Sequence, residues 1–445
     1  MSETDSLKET KPSKGFVSFC TFLIFSYPFY ASNILPMRVT LAMFLLGSFF
    51  IAVCYVRKGW FQPKELRSMA LWIAASFVVL FSFMLADFPY EYSRFFYPVC
   101  LVVSIACMLM CSGFKGWILI AIKTVCIMLI PFALGTIFIY VFPETFPAIK
   151  SVLFPESVFA TGYKSGLTTH YSYNGTYNIV GFLFALGLAA YSQGSKRMKR
   201  FWAVVAIVFF FALLLIGKRQ TLLFGAFAIV FVYLLSNNKN KIRTLLLGGV
   251  ALCVVGLVAM WLVPGIEGTF IRFFSSFGSE DIGEVTSSRD VLWSAAASGW
   301  LERPLLGNGW GTFSYEFSAT NTVHVAHNEL LDLLYGVGVL GAAVFVVCIF
   351  GTVVISIRVF RGIECSRLKT KLPHARVALA ISLMLQVYDI SMSFSIGSLF
   401  GSPTSFMPYL LVVGIALCYY RDIGVPAKNK ARYRGSKPDL QEKAA

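Results

Sequence analysis

The chain consists of near-continuous apolar runs separated by short polar connections. A bilayer core takes roughly 20 apolar residues per helix. Runs of that length fall at 16–35, 38–56, 68–87, 94–112, 117–142, 173–192, 201–217, 220–236, 244–263, 329–357, 376–395 and 404–420. The pattern predicts an all-α, polytopic integral membrane protein of about 12 transmembrane helices. Its expected organisation is a tail over 1–15, spans one to nine over 16–263, an extracytoplasmic loop over 264–328, spans ten to twelve over 329–420, and a basic tail over 421–445. The loop holds Phe270, Phe273, Phe274, Trp293, Trp300, Trp310 and Phe313, so it is expected to fold on the membrane surface, partly as helix. Met1 to Lys14 is polar, and no cleavable signal peptide is expected there.

Composition supports this reading and removes others. Of 445 residues, 57% are hydrophobic and only 13% charged, where a soluble domain carries about 25% charged. Nine of the 10 cysteines lie in apolar runs and Cys365 in a basic loop; with no C-x-x-C they read as packing residues. A net charge of +16 would suit nucleic acid, but its distribution does not. The cations gather in alternate connections: Arg57 to Arg67, Lys196 to Arg200, Lys239 to Arg243, Arg358 to Arg376, and both tails. With about 12 spans these fall on one side, which the positive-inside rule makes the cytoplasm. The charge then serves topology and contact with anionic membrane lipids, and no nucleic-acid partner is expected.

On the opposite side cations are few: Arg38, Arg94, Lys150, Lys164, Lys218, Arg219, Arg272, Arg289 and Arg303. His170, His324 and His327 are expected there too. Charge placed against the bias needs a partner, either an anionic substrate or acids of the same loops. Gly217-Lys218-Arg219-Gln220 is the whole connection between spans seven and eight, with no acid near it in sequence. An Arg fork beside a Lys point charge suits phosphate or pyrophosphate; snorkelling of both side chains to the interface is the plainer alternative.

Ser288 is a good N-cap for a helix over Arg289 to Leu301. Free N–H groups at its start, with Arg289, make an anion seat, and Trp293 one turn on offers a face to a lipid or sugar ring. Asp290 can equally be the structural partner of Arg289. Arg303 opens a turn through Gly311 whose three glycines and Asn308 demand positive φ or close backbone approach. No G-K-[ST] follows, so it is not a phosphate loop of the soluble type. Asn328 can cap span ten, leaving His327 at a helix N-terminus where the dipole favours a neutral, proton-accepting ring; a capping or packing role is the alternative. The stretch Gly166 to Asn174, with His170 and Tyr171, suits hydrogen bonding and stacking on a sugar, or is simply a polar helix entry. Asn174-Gly175-Thr176 matches a glycosylation sequon by letters.

The series Ser288-Arg289-x3-Trp293, Pro304-Leu305-x-Gly307-x-Gly309-x-Gly311, His327-Asn328-x2-Leu331 and Gly336-x-Gly338 resembles the O-antigen ligase and Wzy-type polymerase family of bacterial polysaccharide enzymes. Gly217-Lys218-Arg219 and the Gly166–Asn174 segment resemble its upstream elements, so the likeness covers about residues 160 to 345. It implies a GT-C-like membrane fold and metal-independent inverting glycosyl transfer without a cofactor, at the outer face of the bacterial cytoplasmic membrane, with both termini inside. Arg219 and Arg289, supported by Lys218, would hold the diphosphate of a polyprenyl-linked glycan, and His327 would activate the acceptor hydroxyl. His170, Tyr171, Trp293, Arg303 and Asn328 are the further binding candidates. The implied partners are that lipid-linked glycan, an acceptor glycan, membrane lipids and a chain-length regulator.

The stretch Gly166 to Ser172 looks more like exopolysaccharide and capsule polymerases, which favours a polymerase over a ligase acting on lipid A core. A secondary transporter is a reading of a different class. It would use the intramembrane charges Lys123 and Asp389, the latter in a polar strip with Gln386 and Ser391.

Overall fold

The computed structural model describes residues 13–57, 63–86, 92–111, 115–155, 162–238, 240–243, 289–313, 315–317, 322–324, 326–365, 373–395, 399–401 and 403–423, with single positions between 246 and 257. The expected ninth span, 244–263, and the loop up to Ser288 lie largely outside them. The described helices are α1 (Lys14–Ile24), α2 (Tyr27–Tyr30), α3 (Met37–Arg57), α4 (Pro63–Leu85), α5 (Tyr92–Cys111), α6 (Lys115–Val141), α7 (Phe146–Leu153), α8 (Tyr171–Tyr191), α9 (Lys196–Ile216), α10 (Arg219–Leu235), α11 (Arg289–Glu302), α12 (Glu329–Glu364), α13 (Pro373–Ser393) and α14 (Pro403–Ile423). A short antiparallel hairpin, β1 (Tyr315–Phe317) and β2 (Thr322–His324), is added in the loop.

The protein is helical and built for a membrane. Among the described residues, five helices are long and apolar enough to cross one: Met37–Cys54, Trp117–Val141, Lys196–Ile216, Glu329–Glu364 and His374–Ser393. Their neighbours turn large apolar side chains outward, Phe77 and Met84 among them. Such faces are costly in water and expected against lipid tails. The first expected span, 16–35, departs from the prediction. It is α1, a break at Phe25 and Ser26, and the single turn of α2 with Pro28 near its start. Proline lacks the N–H that would continue the α1 ladder.

At the centre stands α13, packed on α8, α10, α12 and α14 and buried along most of its length. Helices α8 and α10 pack on it directly, whereas α9 packs on α8 and on α6, and α6 packs on both α8 and α9. One end of this bundle carries Glu364 between Arg376 and the Asn237 N–H, with Arg376 also 5.0 Å above the Tyr191 ring. The other end carries the starts of α8, α10 and α12, and there the candidate chemistry gathers.

The glycine turn of the loop docks on this frame. Helix α12 is kinked at Gly338, whose φ of 64° and ψ of −175° interrupt the helical bonding. The backbone groups released around the kink are taken up by the turn. Asn308 N–H donates to Tyr335 O, Gly309 N–H to Gly336 O, and Val339 N–H to Pro304 O. Gly307, Gly309 and Gly311 all have positive φ, as the composition of the turn required. Two motifs far apart in sequence thus form one backbone joint.

Candidate functional site

Three local structures bring the site together. His170 is the N-cap of α8: its Nδ1 accepts from the Ser172 N–H at 3.1 Å. Gly217 ends α9 in the left-handed conformation, with its N–H on Leu213 O, and so turns the chain within two residues into α10. Lys218 fills that turn and Arg219 begins α10. Lys218 lays its stem against Gly175, where an added Cβ would stand 3.3 Å from its Cδ. The third structure is the start of α11, where Arg289 directs Nη1 to the Ser395 carbonyl at the end of α13.

These positions act on one another electrostatically. Burial, and then the charge of Arg289, lowers the Lys218 ammonium to about 8. Burial, and then the charge of Lys218, lowers His170 to about 4. Burial likewise pulls the Arg289 guanidinium down, opposed by Tyr171. His170, Tyr171, Lys218 and Arg289 therefore share one site, although three separate stretches supply them. Among the described residues, no carboxylate pairs with Lys218 or Arg289. The imidazole is neutral at pH 7, and since Nδ1 accepts from the Ser172 N–H, its proton is on Nε2.

His327 and Asn328 lie at the start of α12. Asn328 Oδ1 accepts from Leu330 N–H at 3.1 Å and Leu331 N–H at 3.3 Å, the expected cap. His327 has a φ of 53°, a conformation uncommon for a non-glycine residue. Two acids of the first α12 turn hold this region: Asp332 accepts from Ala326 N–H, and Glu329 accepts from Leu399 and Phe400 N–H. Ser395, which receives Arg289, belongs to the same connection between α13 and α14. Sequence reading missed Glu329, Asp332 and Ser395 as parts of the site. The available signal was the pair of acids in the first turn of a helix, where carboxylates meet free N–H groups.

The remaining candidates divide. Trp293 is half-buried one turn into α11, and its Nε1 is buried with no acceptor among the described residues. Arg303 is exposed at the far end of α11, beside Glu302 and Tyr335, and is not drawn into the cluster. Asn174 is fully buried, donating to Thr136 Oγ1 at 2.8 Å and Lys164 O at 3.0 Å, so the sequon letters mark a structural asparagine. Lys123 is exposed on the outside of α6 rather than lining an interior path. No family model matches the chain, and no curated protein matches it significantly.

Proposed function

We propose that the protein is a polysaccharide polymerase, transferring a glycan from a polyprenyl diphosphate to an acceptor sugar on the outer face of the bacterial cytoplasmic membrane. The observation that carries the reading is the meeting of Lys218, Arg289 and His170 at one end of the bundle, with no described carboxylate on either cation. Two cations held near each other in a half-buried site await an anion, and a diphosphate supplies charge on oxygens that an Arg fork and a Lys can share. The basic ends at Lys196–Arg200 and Arg376 lie at the other end of the same helices, a charge bias that supports an extracytoplasmic site.

In this reading the diphosphate is the leaving group. As the acceptor oxygen bonds to the anomeric carbon, the bond from that carbon to the phosphate oxygen breaks and its electron pair stays on that oxygen. Arg289, Lys218 and Arg219 stabilise the charge in a water-poor setting. His170, the exposed ring of Tyr171 and the Trp293 indole contact sugar or lipid, and His327 takes the proton of the attacking hydroxyl. Purified protein in lipid nanodiscs, given undecaprenyl-diphosphate oligosaccharide, should produce longer chains and free undecaprenyl diphosphate. Arg289→Ala and His327→Ala should abolish both products while still inserting and folding. Wild-type protein that yields neither product with its own repeat unit as acceptor would refute the transferase reading.

A further inference from the structure

Among the described residues, the buried acids are provided with donors, with one exception. Glu364 has Arg376 and the Asn237 N–H, and Glu329 has two backbone N–H groups. Asp389, only 7% exposed in α13, has a carboxylate oxygen, Oδ2, with no hydrogen-bond partner among the described residues. One turn back on the same face is Gln386, fully buried. Its Nε2 donates to Ser356 Oγ at 2.8 Å and Ser382 Oγ at 2.9 Å, which leaves Oε1 without a donor. The Tyr409 hydroxyl on α14 is buried and unpartnered as well, and the charge of Asp389 reaches both it and the Tyr388 hydroxyl. Thr221, one turn into α10 from Lys218, closes the group opposite Tyr388.

All these unpartnered atoms are oxygens, and among the described residues no Lys, Arg or His contributes charge to Asp389. A buried carboxylate with no counter-ion is very costly, and two acceptor-only oxygens, Asp389 Oδ2 and Gln386 Oε1, cannot satisfy each other. Oxygen-only donors are the ligands of hard cations, and one carboxylate among neutral oxygens balances one positive charge rather than two. We propose that α10, α13 and α14 enclose a binding site for a monovalent alkali cation, with Asp389 as its charged ligand and Gln386 and Tyr409 as neutral ones. The site lies at the same end of the bundle as Lys218, with Thr221 and Lys218 both beside Gly175. It would neutralise Asp389 and hold the three helices together. The inference does not depend on the transferase reading, because its test does not use activity.

Thermal unfolding of the full chain in nanodiscs, at fixed pH and ionic strength, reads the site directly. Replacing choline chloride by sodium chloride should raise the melting temperature of the wild type by a few degrees, saturating with concentration as expected for a ligand bound only by the folded state. Asp389→Asn should remove the sodium response. Tyr409→Phe, which deletes one hydroxyl and keeps the ring, should move half-saturation several-fold higher, and it carries the test should Asp389→Asn not fold. A wild type that melts identically in both salts overturns the proposal and leaves a protonated acid or a buried water in that place. Equal sodium responses in the wild type and Asp389→Asn also overturn it.

Discussion

Lys218 lies in the field of Arg289, and its ammonium releases its proton near pH 8 rather than above 10. The anion site thus carries its Lys charge at pH 7 and loses it as pH rises through about 8. Apparent affinity for the lipid diphosphate should weaken between pH 7 and pH 9, seen as a rise in donor KM. Lys218→Arg keeps its charge across this range and should flatten that rise. Arg289→Ala should lower kcat by about 10²–10³-fold, the usual effect of deleting one donor to developing charge. A donor KM equally pH-dependent in wild type and Lys218→Arg would assign the titration to another group.

His170 gives a prediction of the opposite kind. Its folded value is depressed to about 4, against an ordinary 6.5. Between those values the unfolded chain takes a proton that the folded protein refuses. Its contribution to stability is therefore full above pH 6.5 and is lost as pH falls toward 4. His170→Asn retains a cap acceptor for the Ser172 N–H but does not titrate, so its melting temperature should fall less over this window than that of wild type. His170→Ala loses the cap and should cost about 1 kcal/mol at pH 7.

What could be read in sequence followed from physics that is local along the chain. The turn at Gly217, the Asn328 cap and the helix starting at Arg289 depend on a few neighbouring residues, and all three are present as expected. The break in the first span was obscured because Phe25 and Ser26 interrupt hydrogen bonding without interrupting hydrophobicity. The site's third-party residues were harder still. Glu329 meets Leu399 and Phe400, and Arg289 meets Ser395, only after α12, α13 and α14 have packed, and no periodicity encodes such a pairing. The place of Arg303 was not legible for the same reason: a cation near a motif in sequence stands past the far end of α11 from Arg289 in space.

Gly338 should tolerate no side chain. Its φ is positive, and an added Cβ would strike the Leu305 carbonyl. Gly338→Ala should cost about 2 kcal/mol or more through strain and overpacking, lowering the yield of monodisperse protein in detergent. Gly351, further along α12, has nothing within 4 Å of an added Cβ. Gly351→Ala should be neutral or slightly stabilising, as for any Gly replaced inside a helix. Similar losses in both variants would show that helix α12 is sensitive to alanine in general rather than at the joint.

Glu329 should affect substrate binding through the connection it holds. Glu329→Gln turns one of the two acceptors for the Leu399 and Phe400 N–H groups into a donor, which leaves a buried N–H unpaired at a cost of about 1–3 kcal/mol. Because Ser395 in the same connection receives Arg289, the variant should raise donor KM more than it lowers kcat. A parallel fall in kcat at constant KM would place Glu329 in the chemical step instead.

The opposite end of the bundle should matter for stability alone. Glu364 is fully buried and Arg376 nearly so, and between them they join the ends of α8, α10, α12 and α13. Removing one member of a buried pair strands the other charge and typically costs 3–5 kcal/mol. Glu364→Ala should therefore lower the melting temperature sharply, whereas the double change to methionine at Glu364 and Arg376 should recover much of the loss, because it leaves no charge behind. Donor KM measured on the folded fraction of either variant should equal that of wild type, since the proposed diphosphate site lies at the other ends of these helices. A KM that moved with Glu364 would mean that the two ends are coupled through α13, the helix that carries Asp389 between them.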